Sequence, residues 1–303
     1  MDIQKNIKPL IMNGLRGRMF FMPAQKNASK KEFLLIYGHH SSIERMAGYV
    51  EILSRYGNVT VPDLPGFGGM ESFYKIGEKP TIENYADYLA AFVKLRFKRK
   101  KVIIVGMSFA VPIYVKMLQK YPALSKKVEY CVSLVGFVHY EDFYLRKNYI
   151  MFVKMLAKAT SNRLVSYIFT KIILRERLIK FLYKLIANRH GKLLGTKQND
   201  RKSRISMETN LWMTNDFRTR MFTILEMLRV DLCDTKVKNH IHHVSTETDI
   251  YFNQEIVAQH MQIIFNKFTT HMSPFKAHAP SVAATSKEIE AIIPKSLIKV
   301  IKS

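Results

Sequence analysis

The sequence is poor in cysteine, tryptophan and acids. Cys131 and Cys233 lie far apart, so they offer neither a metal-ligand spacing nor a disulfide framework, and they suit a reducing compartment. No apolar window approaches the ~20 residues of a membrane span. The opening Met1-Asp2-Ile3-Gln4-Lys5-Asn6 lacks the apolar stretch of a secretory signal. Internal repeats and low-complexity segments are absent too. The expected compartment is the cytoplasm.

Acids are half as numerous as bases: 24 Asp and Glu against 48 Lys and Arg, a net charge of +24 over 303 residues. The excess is clustered. Between Tyr144 and Arg204, sixteen Lys or Arg face two acids, Glu176 and Asp200. Such a face attracts anions, whether acidic lipid headgroups, nucleic acid or a charged substrate. No nucleic-acid-binding motif accompanies the charge, so charge alone does not point there. Within this stretch Leu178, Ile179, Leu182, Leu185 and Ile186 share one helical face, opposite Arg177, Lys180 and Lys184. A basic amphipathic stretch at Arg177–Ile186 is the form a helix takes on the inner face of an anionic membrane.

Outside that stretch, short apolar runs alternate with helical patterns. Gly14 to Pro23, Phe33 to Tyr37, Asn58 to Val61, Val102 to Val105 and Val128 to Val135 read as strands. Met46, Val50 and Leu53 are helix-spaced, and Thr81 caps a helix with a stripe through Tyr85, Tyr88, Leu89 and Phe92. This rhythm predicts a mostly parallel sheet with helices on both faces. Functional groups then gather at the carboxyl ends of the strands, in the loops Gly38–Ser42, Pro62–Met70 and Gly106–Ala110. The rhythm stops from Tyr144 to about Leu228, where a helical insertion is expected. It resumes with a strand at Val237 to Val244, a helix from about Gln254 to His260, a short strand at Ile263-Ile264-Phe265, and helices over Ser281–Ile293 and Pro294–Ile301.

The centre of the sequence is Gly106-Met107-Ser108-Phe109-Ala110, directly after a buried strand and before a helix-compatible stretch. Small residues two positions either side of a serine permit a sharp strand-to-helix turn. The turn lifts the hydroxyl clear of the sheet at a helix N-terminus.

These features together resemble the α/β-hydrolase superfamily. Gly38-His39 is similar to that family's His-Gly oxyanion turn, and Asp63-Leu64-Pro65-Gly66-Phe67-Gly68 to its D-x-P-G-x-G loop. Gly106 to Ala110 is similar to its nucleophile elbow. Thr246 to Asp249 stands where the family has G-x-x-D, and Ala277-His278 where it has Gly-His. The sequence departs at Tyr37, where the family often has His, at Ala110 in place of the last elbow glycine, and at Thr246 and Ala277. The resemblance implies an α/β-hydrolase core in two parts, 1–143 and 229–303, around a helical cap at 144–228.

The resemblance also implies a serine hydrolase that cleaves a carboxylic ester or related acyl bond without cofactor or metal. Ser108 is the expected nucleophile, His278 its base and Asp249 the acid that orients the imidazole. Backbone N–H groups of His39 and Phe109 are the expected oxyanion donors, each worth ~2.7–4 kcal/mol of barrier. His271 and His260 are rivals for the base, each expected on the surface or a helix. Glu247, Glu141 and Asp142 are rivals for the acid. Asp63 is expected to hold its loop to the turn around Gly38. His39 and His40 either line the pocket or stand solvated. His240, His242 and His243 alternate as on a strand rather than as metal ligands. The aromatic, Met and Leu residues of the insertion either wall an apolar acyl pocket or form the insertion's own core. An inactive relative that binds a ligand or partner is the alternative to a hydrolase.

Overall fold

The computed structural model describes residues 4–26, 28–29, 31–186, 198–274 and 285–303. Eight strands form one sheet: β1 (Ile7–Met12), β2 (Leu15–Met22), β3 (Lys31–Ile36), β4 (Gly57–Pro62), β5 (Val102–Met107), β6 (Val128–Leu134), β7 (Val237–Ser245) and β8 (Phe265–Met272). Their order is β1-β2-β4-β3-β5-β6-β7-β8. β1 and β2 pair antiparallel with each other, β2 pairs antiparallel with β4, and all further pairs are parallel. Every residue of β5 is buried, and so is Glu32 to Ile36 of β3. This is the pattern of central parallel strands covered on both faces.

The core helices are α1 (Ala47–Ser54), α2 (Ile82–Arg96), α3 (Ala110–Lys120) and α4 (Pro122–Ser125). Between β6 and β7 the described residues form five more: α5 (Lys147–Thr160), α6 (Arg163–Ile172), α7 (Glu176–Ile186), α8 (Gln198–Thr214) and α9 (Phe217–Met227). The chain closes with α10 (Gln254–Ile264), α11 (Ser286–Ile292) and α12 (Lys295–Lys302). No helix of the described residues is long and apolar enough to cross a membrane. The expected Thr81 cap is present: its Oγ1 accepts from Asn84 N at 3.1 Å.

The structure adds one strand and corrects the reading of another. β1 was not foreseen; it pairs with β2 through Asn13 and Gly14, both at positive φ (51° and 78°), a two-residue turn of the hairpin type. Ile263 and Ile264 belong to α10, not to a strand. Val257, Met261 and Ile264 share the buried side of that helix, so an apolar run that looked strand-like is a helix end. β8 starts only at Phe265. The stretch from Leu164 to Ile186 is helical, as α6 and α7 with Ile173 to Arg175 between them. The expected helix end at Asn188 to Gly191 and the helix start at Ser281 lie outside the described residues.

The apolar residues of the insertion divide in two. Leu174, Ile179 and Phe217 form a small cluster with Phe169, Tyr183, Trp212 and Met221 packed against it. Others stay on the surface, among them Phe152, Met155 and Phe181.

At the tip of β5 packing is tight. A Cβ on Gly106 would lie 2.6 Å from the Tyr114 ring and 3.2 Å from the Ala110 methyl, so only glycine lets α3 fold back onto the strand. Gly106→Ala is expected to destabilise the fold by about 1–3 kcal/mol through overpacking, read as a lower urea midpoint. An unchanged midpoint would mean that Tyr114 moves aside freely.

Candidate active site

β5 ends at Met107 and α3 starts at Ala110, leaving Ser108 and Phe109 to reverse the chain. Ser108 has φ 48°, in the left-handed region that residues with a Cβ seldom occupy outside functional turns. Its N–H donates to Leu134 O and its carbonyl accepts from Val111 N, both at 3.0 Å. The strained residue is thereby held between β6 and the first turn of α3. Gly38, after β3, passes against it: a Cβ there would lie 3.3 Å from Ser108 Cβ. The N–H groups of His39 and Phe109 donate to no other group among the described residues.

The His39 ring stacks edge-on against Phe67 and Phe109, with centroids 5.5 and 5.6 Å away. Its Nε2 lies 2.9 Å from Thr223 Oγ1 and 3.3 Å from the Arg220 carbonyl. A carbonyl can only accept, so Nε2 carries the proton. Burial, helped by the nearby Arg220 charge, pushes its pKa down to about 3, and the ring is neutral. The solvated alternative for His39 and His40 does not hold: both rings are packed, His40 with Nδ1 3.1 Å from Asn215 Nδ2 and its ring 4.8 Å from Trp212.

Asn215 also accepts from Gly68 N at 2.7 Å, and Asp216 N donates to Gly66 O at 2.8 Å. The segment joining α8 to α9 thus clasps the loop after β4. From below, Asp63 Oδ1 accepts from the Tyr37 hydroxyl at 3.0 Å and Oδ2 pairs with Arg18 Nε at 2.8 Å. The Tyr37 hydroxyl in turn accepts from Leu64 N at 2.7 Å. Burial pushes the Asp63 carboxyl up to about 7, against the pull of Arg18 and Tyr37. Tyr37, where the family often has His, is therefore the post to which the Asp63 loop is tied.

Asp249 sits just beyond β7. Its Oδ1 accepts from Tyr251 N at 2.8 Å and Phe252 N at 3.2 Å, and its Oδ2 from Gln254 Nε2 at 2.9 Å. Gln254 Oε1 lies 3.1 Å from His243 Nε2, and His243 Nδ1 lies 2.9 Å from Ser133 Oγ. This chain of hydrogen bonds runs from the carboxylate back into the sheet and fixes its orientation. His278 lies outside the described residues. Of the rival acids, Glu247 is exposed. Asp142 is engaged elsewhere, accepting from Val138 N and His139 N at 2.8 and 2.9 Å and lying 2.6 Å from His260 Nδ1. Of the rival bases, His260 is on α10 as expected. His271 is not on the surface: it is buried on β8, with Nε2 3.0 Å from His242 Nδ1 and Nδ1 2.8 Å from Ser296 Oγ.

His240, His242 and His243 do alternate along β7. Among the described residues one group, elsewhere, has the spacing of a metal centre: His139, Glu141 and His260, with ligand atoms within 4.8 Å of one another. Each imidazole there already serves the turn, His139 Nδ1 accepting from Glu141 N at 3.1 Å and His260 meeting Asp142.

No protein-family model matches the sequence, and no curated protein matches it. Solved structures do. The enol-lactonase from Burkholderia xenovorans superposes with a TM-score of 0.66 at 12% identity, over 98% of this chain and 100% of that one. A thermophilic esterase from Thermogutta terrifontis gives 0.62 at 14% identity, over 98% of each. A bacterial membrane phospholipase A gives 0.64 at 11% identity, over 97% of this chain and 84% of that one. This chain has the α/β-hydrolase fold.

Within the α/β-hydrolase fold, the residues that motif reading overlooked lie in α8, α9 and the link between them: Trp212, Asn215, Arg220, Thr223 and Glu226. Glu226 Oε2 accepts from Ile82 N at 3.0 Å at the start of α2, anchoring α9 to the core. The only signal for them was the run of Thr and Arg in an otherwise apolar helix, which reads equally well as a solvated face.

The buried imidazoles set the acid response. Burial lowers His242 and His243 to about 4, and His39 to about 3, from an ordinary 6.5. On acidification the unfolded chain takes up these protons before the native state does, so stability falls as pH falls from about 6.5 to about 4. Asp63, raised to about 7 from 3.8, works in the opposite direction across the whole of this window, but three imidazoles outweigh one carboxyl. The urea midpoint is expected to be lower at pH 4.5 than at pH 7. A midpoint that rises on acidification would contradict this placement of the histidines.

Proposed function

We propose that the protein is a serine hydrolase that cleaves a carboxylic ester or a related acyl bond through an acyl-enzyme. The observation that carries this reading is the strained Ser108 at a strand tip and helix N-terminus, with the unengaged N–H groups of Phe109 and His39 beside it. In this reading His278 takes the Ser108 proton as Oγ attacks the carbonyl carbon. The oxyanion forms between the two N–H donors, and His278 returns the proton to the departing alcohol. Water, deprotonated by the same imidazole, then attacks the acyl-enzyme and releases the acid. Asp249 holds the imidazole tautomer and stabilises the imidazolium. No cofactor or metal enters these steps. Residues 144–228 act as a cap on the core halves 1–143 and 229–303. The lactonase and esterase with the same fold are similar in architecture and support acyl chemistry as the reading to test.

A fluorophosphonate probe is expected to label the wild-type protein and not Ser108→Ala, and turnover of nitrophenyl esters to fall by about 10⁴–10⁶-fold in that variant. Folded wild-type protein that takes no label would favour an inactive fold that binds a ligand instead.

A second reading concerns location. Phe152, Met155, Tyr167, Ile172 and Phe181 are each more than half exposed on α5 to α7, interleaved with Lys154, Lys158, Lys171 and Lys180. Apolar side chains among cations suit an anionic membrane surface, from which lipid substrate would be drawn. The structural likeness to a membrane phospholipase is in keeping with this. Sedimentation with phosphatidylserine-containing vesicles is expected at low salt and to weaken at high salt. Binding indifferent to both lipid charge and salt would remove the idea.

A further inference from the structure

We propose that the Arg220 guanidinium is a subsite for a carboxylate carried by the substrate, set beside the Ser108 turn. The inference rests on the hydrolase reading and adds the class of substrate.

Arg220 is on α9, and its guanidinium carbon lies 3.7 Å above the Trp212 ring. Its Nε and Nη1 are buried and have no hydrogen-bond partner. No carboxylate forms an ion pair with it among the described residues. Leaving charged donors buried and unmade costs more than the typical ~1–3 kcal/mol for a neutral group. Stacking on an indole offsets part of this but supplies no acceptor. Burial lowers the Arg220 pKa to about 10, which still leaves the group charged at neutral pH. The carboxylate whose charge acts on it is Glu208, whose Oε2 lies 3.2 Å from the Tyr183 hydroxyl. That carboxylate is shared with Arg45, which feels the same Glu208 and Tyr183. Two guanidinium groups about one carboxylate leave a positive balance in this corner.

The corner adjoins the nucleophile. The Arg220 carbonyl accepts from the His39 ring, that ring packs on Phe109, and Gly38 abuts Ser108. The guanidinium itself is reached from this turn through the His40 ring, 4.8 Å from Trp212, on which Arg220 stacks; in the proposed binding mode a substrate with its carbonyl over Ser108 runs along this side. A carboxylate at its far end offers the acceptors that Nε and Nη1 lack. Trp212 fixes the guanidinium plane, and the Trp212 Nε1 bond to the Tyr183 hydroxyl at 3.1 Å holds the indole.

The test compares the p-nitrophenyl monoester of glutaric acid with p-nitrophenyl pentanoate, which match in acyl length and differ in the terminal charge. Wild-type enzyme is expected to favour the charged ester in kcat/KM by about tenfold or more, and Arg220→Met to lose that preference. Glutarate is expected to bind at least about tenfold more tightly than glutaramide by calorimetry, and Arg220→Met to abolish the difference. Turnover of both esters with no preference overturns the subsite and leaves the hydrolase reading standing. Selective glutarate binding without turnover of either ester supports the anion site and overturns the hydrolase reading. If neither preference nor glutarate binding is seen, the subsite is overturned. Should Arg220→Met not fold, the wild-type preference and the binding of glutarate against glutaramide decide alone.

Discussion

Close approach at the strand tips is the constraint on which the remaining structure depends. Ser108 reverses the chain at φ 48°, and it can do so only because the neighbouring elements present no side chain in its way. Gly106 gives room to Tyr114, and Gly38 lets the next loop lie against the serine. A strained residue persists only where its surroundings over-determine it. Here the main-chain bonds to Leu134 and from Val111 on either side supply that restraint. The consequence is that Ser108 stands at the tip of β5, directly before α3, and not within the strand.

A second tier of contacts holds the loops around that turn. Tyr37 and Asp63 tie the loops after β3 and β4 together from beneath, in a buried set completed by Arg18. Asn215 and Asp216, in the link between α8 and α9, and Thr223 on α9 clasp the same loops. Both tiers use polar groups in places withdrawn from water, where each bond is stronger and each omission more costly. Arg220 departs from this pattern with two charged donors, Nε and Nη1, buried without an acceptor. The basic character of the insertion is thus of two kinds: lysines spread on the surface of α5 to α7, and guanidinium groups turned inward near the strand tips.

The fold was largely legible. Val102 to Val105 gave a strand buried on both faces because nothing polar interrupts it, and Thr81 announced α2 through its side-chain oxygen. The stretch from Ile263 misled because an apolar pair at a helix end has no period to distinguish it from a short strand. β1 was missed because Lys8 and Pro9 hide its apolar alternation. In the site, Ser108 and the Asp63 loop were visible as turn chemistry. His271 was misplaced as a surface residue because its burial comes from pairing with β7 and from Ser296 on α12, not from its own neighbours in sequence.

What the amino-acid order determined by itself was local: which segments are strands and helices, where the chain must turn sharply, and that a serine stands at one such turn. These follow from side-chain period, capping oxygens and the steric freedom of glycine, all of which act within a few residues. What only the tertiary structure decided was which distant groups meet. Arg220 reaches His39, and Asn215 reaches Gly68, across 181 and 147 positions of chain. Periodicity tells a helix which face to bury but not against what, and the partner is fixed only when the sheet brings its strand tips together under α8 and α9.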